Sequence, residues 1–130
     1  DLITKDKYSH LIGIVSNNIG KYTIVSKAKI YNGYKYKNKE YIYLDYIEVN
    51  KYFRNKGLYK KTVLELTKHI DMSKDIITSD MTDMGKVCHT HRHFCRILRE
   101  KNYQGNIQTE TEYKIELDKK RKNKVLQLFN

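Results

Sequence analysis

Apolar and polar positions alternate through three segments, "SHLIGIVSN" (9–17), "KYTIVSKAKIY" (21–31) and "EYIYLDYIEV" (40–49), each rich in Ile, Val, Tyr and Thr. Alternation of that kind predicts β-strands. The turn residues of "NNIGK" and "NGYKYKNK" separate them, so the three form a meander. From Leu58 to Ile70 the period lengthens. Tyr59, Val63, Leu66 and Ile70 recur at helical spacing, with Lys60, Lys61, Glu65 and Lys68 elsewhere around the axis, which predicts an amphipathic helix. "DIITSD" (75–80) is a short apolar run bounded by acids, as a buried strand is. "GKVCHTHRHFCRILREKN" (85–102) returns to the helical period with an inner face of Val87, His91, Phe94 and Leu98. "IQTETEYKIEL" (107–117) alternates and predicts a last strand, after which "DKKRKNKVLQLFN" forms a basic end.

Length then limits the organisation. A chain of 130 residues has room for one domain with a real core and is short for two. The sequence contains no proline, so its turns rest on Gly and Asn. Lys and Arg outnumber Asp and Glu by 26 to 15, a net charge of +11, which favours polyanions and phosphate-bearing ligands. An ordinary solvated surface is the competing explanation. No apolar run approaches the roughly 20 residues of a membrane span, and no secretory signal is present, so no membrane partner is expected. Cys88 and Cys95 stand seven residues apart in one predicted helix. Two helical turns place them about 10 Å apart, too far for a disulfide. A cytoplasmic setting is expected on that ground.

The most cationic turn is "YIEVNKYFRNKGLYKK" (46–61), between the third strand and the first helix. A helix beginning at Gly57 or Leu58 leaves several backbone N–H groups facing out of its first turn, and these favour an anion. Gly57 lets the backbone approach a bulky ligand, and Arg54, Lys56, Lys60 and Lys61 add positive charge. A pyrophosphate fits such a cradle best; a basic loop without a ligand is the alternative.

The segment "LDYIEVNKYFRNKGLYKKTVLEL" resembles the central motif of the GNAT superfamily of acyl-CoA-dependent N-acetyltransferases: Arg or Gln, two residues, Gly, one residue, then Gly or Ala. The match runs Arg54, Asn55, Lys56, Gly57, Leu58, Tyr59, with Tyr59 in the place of Gly or Ala. The similarity extends over about residues 40–105, where "CRILREKNYQG" is similar to the end of a second conserved helix and Tyr103 to its closing aromatic. The resemblance implies an α+β fold with a mixed, mostly antiparallel sheet, two main helices, and a splayed pair of parallel strands. It implies that the loop and helix start at Arg54, Asn55, Lys56, Gly57, Leu58, Tyr59 and Lys60 hold the coenzyme A pyrophosphate. Backbone groups of Ile47 and Val49 then pair with the pantetheine arm. It also implies acetyl-CoA as co-substrate and an amine-bearing acceptor. A tyrosine acid common in the second helix falls at Leu98, and an asparagine that contacts pantetheine falls near His91. The family's usual N-terminal helices are not found ahead of the strands, so residues 1–118 read as a GNAT-like domain, either a minimal member or one whose N-terminus is missing, and 119–130 as a basic tail.

Acetyl transfer to an amine needs a base or water relay for the amine proton, N–H groups on the thioester carbonyl, and an acid for the thiolate. Asp45 and Glu48 flank the expected splay on opposite strand faces. Asp45 shares the alternation of Tyr43, Ile47 and Val49, and is the base if that face lines the groove; Glu48 is the base otherwise. His91 is a further candidate proton carrier, with a satisfied core histidine as its alternative. Cys88, His91 and Cys95 share a helix face that offers three ligands to zinc, but no fourth is evident and no metal site is expected. The acceptor is left open between an acidic protein and an RNA-borne amine such as that of an aminoacyl-tRNA. Val125, Leu126 and Leu128 suit a partner or a homodimer. Two other functions compete: a non-catalytic relative that binds coenzyme A or a partner, and a basic nucleic-acid-binding domain in which Lys and Tyr track a backbone.

Overall fold

The computed structural model describes residues 3–4, 10–18, 21–36, 39–79 and 90–129. The predicted meander is present as β2 (His10–Asn18), β3 (Lys21–Tyr36) and β4 (Lys39–Val49), preceded by a two-residue strand β1 (Ile3–Thr4) that pairs with the end of β3. Helix α1 (Leu58–Leu66) follows, then β5 (Ile76–Thr78), α2 (Thr90–Glu100), β6 (Ile107–Thr109) and α3 (Glu110–Phe129). The strands form one sheet in the order β1-β3-β4-β5-β6, with β2 also on β3. Pairs on β3 are antiparallel, whereas β4 with β5 and β5 with β6 are parallel. The expected α+β class with a mixed sheet is therefore found, with three α-helices among the described residues where two main ones were expected.

The helices divide between the two sheet faces. On one, Val63 and Leu66 of α1 and Phe94 and Leu98 of α2 pack over Ala28, Ile30, Ile42 and Leu44. Thr62, fully buried, donates to Leu58 C=O at 2.6 Å and meets the Ser26 hydroxyl, so α1 sits on β3 through a satisfied polar contact. On the other face, Tyr113 and Leu117 of α3 pack with Tyr34, Tyr43 and Ile77. The rings of Tyr34 and Tyr43 stack at 5.1 Å, and Tyr41 meets Tyr113 edge to face at 5.3 Å. The Tyr43 hydroxyl donates to Glu110 at 2.7 Å; burial, reinforced by that carboxylate, pushes the phenol's pKa up.

Three expectations are corrected. The last strand stops at Thr109, and residues 110–117 are helix. Tyr113 and Leu117, four apart, share a helix face and are buried, while Ile115 between them is 49% exposed. Thr109 Oγ1 accepts the N–H of Glu112 at 3.1 Å, the arrangement of a capped helix start, with Glu110 and Glu112 in the first turn. The basic end is not a separate tail: 119–129 continue α3, and a boundary at 118/119 would cut a helix. The first helix ends at Leu66, and Thr67–His69 tighten into a 3₁₀ turn before extended Ile70.

Candidate functional site

The site begins with a count of residues in β4. Ile30 pairs with Leu44 but Lys29 pairs with Tyr46, so Asp45 is an extra residue, a β-bulge. Backbone hydrogen bonds show what the bulge does. Before it, Ile42 N–H bonds Asp75 C=O at 3.0 Å and Leu44 C=O accepts Ser79 N–H at 2.9 Å, so even-numbered residues face β5. After it, Asn50 N–H bonds Val25 C=O at 2.8 Å, so even-numbered residues face β3. By strand alternation the N–H and C=O of Ile47 and Val49 point to the opposite edge. Pairing between β4 and β5 covers only Ile42, Tyr43 and Leu44; among the described residues no strand lies against that edge beyond Ser79. The Val49 C=O on this edge receives Arg54 Nε at 3.4 Å.

A cleft lies where the two strands part, lined by Leu44, Asp45, Tyr46, Ile47, Thr78, Ser79 and His91. His91 enters it from α2. Its Nδ1 is 2.7 Å from Thr78 Oγ1 and its Nε2 is 3.6 Å from Cys95 Sγ, so a hydroxyl and a thiol fix the ring. Burial pushes the Cys95 thiol up, which keeps it protonated beside the imidazole. Cys88 lies outside the described residues, as does Val87. Among the described residues no group of three His, Cys, Asp or Glu side chains is placed to hold a metal ion.

The bulge also corrects the face assigned to Asp45. Tyr43 packs on the α3 side and Ile47 on the α1 and α2 side, so the two do not share a face. Asp45 is half-buried in the cleft wall; Glu48 is exposed and pairs with Lys27 at 3.7 Å, outside the cleft. Leu98 is fully buried in the core, and Tyr103, also buried, donates its hydroxyl to Lys74 C=O at 2.6 Å. Thr78, Ser79 and Tyr46 were missed as cleft residues. For Thr78 and Ser79 the signal was a pair of hydroxyl residues at the carboxyl end of a parallel strand, the "TS" of "DIITSD".

Beyond Val49 the chain makes a 3₁₀ turn (Lys51–Phe53) that Asn50 caps by accepting Tyr52 N–H at 3.0 Å. Two left-handed residues follow, Asn55 at φ 64° and Gly57 at φ 73°, and they turn the backbone into α1. No side chain caps this helix, and its Lys61 N–H is the group that reaches Gly57 C=O, at 3.2 Å. A Cβ at Gly57 would meet no atom of the described residues within 4 Å, so they leave the space over the helix start open. Arg54, Asn55, Lys56 and Lys60 are exposed around it. Lys56 lies 5.5 Å from the Phe53 ring, and Lys60 pairs with Glu100 at 3.5 Å. Tyr59 and Leu58 are half-buried. The Tyr59 ring packs against the core and meets His93 at 4.6 Å, so it is directed into the α1–α2 junction.

Open strand edge, cleft and helix start thus follow one another along residues 44–60. The residues present fit a long ligand with an anionic centre: an edge that no described strand pairs, for an amide-bearing arm, and a cationic turn for its phosphates. No protein-family model matches the chain, and no curated protein or solved structure does. Among the described residues no helix is long and apolar enough to cross a membrane.

Proposed function

We propose that the chain is an N-acetyltransferase of the GNAT type that moves an acetyl group from acetyl-CoA to an amine. The observation that carries the reading is the adjacency of a bulged strand with a free edge and an uncapped, glycine-led helix start. A generic basic loop explains the cationic turn but not the free edge beside it. Bound acetyl-CoA supplies the acetyl group as an activated thioester. The backbone of Ile47 and Val49 would hold its arm, and the first turn of α1, with Lys56 and Lys60 nearby, would hold its pyrophosphate.

The chemistry asks little more of the side chains. The amine nitrogen bonds to the acetyl carbon as the carbon–sulfur bond breaks; the amine loses a proton and the departing thiolate gains one. Asp45 and His91 line the cleft and are the groups suited to take the amine proton, directly or through water. Thr78 orients the imidazole. Glu48, tied to Lys27 outside the cleft, has no part in this scheme.

Millimolar acetyl-CoA should raise the melting temperature, since a ligand that binds only the native state stabilises it. An unmoved melting temperature would remove the reading. Release of free coenzyme thiol with a panel of amines then tests turnover. A coenzyme-binding relative without turnover is the second reading. It is favoured by Leu98, which is wholly buried where the family's acid would stand, and by the engagement of both His91 nitrogens. A thermal shift without thiol release selects it.

A further inference from the structure

We propose that the half of the α3-bearing sheet face that no described helix covers binds single-stranded RNA; that this RNA also carries the acceptor amine rests on the acetyltransferase reading. Helix α3 covers the end of this face at Tyr34, Tyr41 and Tyr43. Towards the carboxyl end of β4 the same face continues as two cross-strand rows: Gly13, Lys27 and Glu48, then Leu11, Lys29 and Tyr46. Leu11, Gly13 and Glu48 in these rows are exposed, Leu11 at 63%, and Lys27, Lys29 and Tyr46 are half-exposed, the Lys27 side chain at 41%. Gly13 leaves the centre flat.

The face pairs cations with aromatic rings. Lys27 Nζ lies 5.8 Å from the Tyr46 ring centre and Lys29 Nζ 5.7 Å from that of Tyr31. A base stacked on Tyr46 brings its phosphate within reach of both ammonium groups, which pivot from ring to phosphate. Stacking of this kind, with a positive groove tracking the backbone, is how single strands are held without sequence preference. Glu48 is the one carboxylate in the two rows, and Lys27 already engages it. Tyr46 also lines the cleft, so a strand lying on the rows leads into it. The net charge of +11 draws a polyanion from a distance. The cations of α3 at 119–122 and 124 are exposed too, but they surround the helix axis and offer a strand no ring platform of this kind.

The test is fluorescence anisotropy with a labelled 12-nucleotide oligouridylate. Binding at 50 mM salt should weaken about 7- to 20-fold at 200 mM, as expected for two or three phosphate contacts. Tyr46→Ala should weaken it about fivefold or more, the loss of one stacked base. Lys27→Glu with Lys29→Glu should weaken it more than about tenfold. The control pair Lys119→Glu with Lys120→Glu should change it less than about threefold, all variants melting near the parent. Equal loss from the α3 pair, equal affinity for a duplex of the same length, or no binding at 50 mM salt would overturn the proposal. The two readings fail separately. An acetyl-CoA thermal shift without RNA binding removes only the platform, and RNA binding without that shift removes only the acetyltransferase.

Discussion

Gly57 is where the pyrophosphate cradle can be tested most directly. Its φ of 73° is left-handed, and a Cβ there would touch no atom of the described residues within 4 Å. Replacement by Val therefore creates no clash in the free protein and costs only the backbone strain of an L-residue in that region, about 1 to 2 kcal/mol. For a domain of this size each kcal/mol moves the melting temperature by roughly 4 °C, so the variant should melt about 4 to 8 °C lower and still fold. With ligand the two proteins should diverge further. Acetyl-CoA at a hundred times its Kd adds about 2.7 kcal/mol to the parent, roughly 11 °C, and nothing to a variant whose branched side chain fills the approach to the helix start. Asn55→Ala is the internal control. Asn55 is also left-handed, at φ 64°, but already carries a side chain, so the exchange should lower stability and leave the ligand shift intact. Differential scanning fluorimetry of the three proteins with and without acetyl-CoA reads both effects. A Gly57→Val protein that melts lower yet keeps the whole ligand shift would refute the placement of the pyrophosphate.

At Gly105 a Cβ would lie 2.3 Å from the Tyr103 hydroxyl, which is held by Lys74 C=O at 2.6 Å, so Gly105→Ala should cost about 1 to 3 kcal/mol in urea unfolding; an unchanged midpoint would show that the ring moves freely. Partial burial pushes the Asp75 carboxyl up, but the hydrogen bonds from Lys39 and the Asn106 N–H outweigh it and hold the pKa below the usual range. A lowered native pKa gives stability that is complete above the unfolded value near 4 and lost as pH falls through the native one. Asp75→Asn should therefore flatten the fall in melting temperature between about pH 5 and 2, and an unaltered acid limb would contradict this. Deletion of Asp45 leaves Leu44 opposite Ile30 and Tyr46 opposite Lys29, so β4 becomes regular with the Ile47 and Val49 backbone still on the open edge. The variant should keep the acetyl-CoA shift while losing turnover if Asp45 takes the amine proton. A folded deletion variant that loses the shift would show that the bulge itself, and not the strand edge, holds the ligand.

Periodicity revealed the three long strands and α1 because each buries one consistent face, and β5 showed as a short apolar run because it is buried on both. It failed over 107–117 because Tyr113, Ile115 and Leu117 satisfy period two and, with Ile115 exposed, also satisfy a helix face. The deciding signal was local. Thr109 with Glu112 is the threonine and glutamate spacing of a helix start, and the hydrogen bond from Glu112 N–H to Thr109 shows it in use. Tyr59 is a second instance: the motif showed that a large side chain stood where a small one is usual, while its direction towards His93 depends on how α2 packs on α1. Contacts between segments distant in sequence have no signature in either segment alone.

The bulge at Asp45 carries the same lesson into the site. Strict alternation put Asp45, Ile47 and Val49 on one face with Tyr43, and one inserted residue broke that series between Tyr43 and Ile47. Its effect is twofold. It turns the Ile47 and Val49 backbone outward at the point where β5 ceases to pair, so these residues, in place of Tyr46 and Glu48, present their groups at the free edge. It also sets Asp45 in the cleft wall with His91 opposite on α2. The choice of backbone groups that would bind a coenzyme arm and the placement of the carboxylate that would serve the acceptor are thus consequences of one irregularity. A β4 in unbroken alternation would instead present the Tyr46 and Glu48 backbone groups at that edge and point those of Ile47 and Val49 at β3. The candidate chemistry of this chain therefore rests on a break in the pattern from which its fold was read.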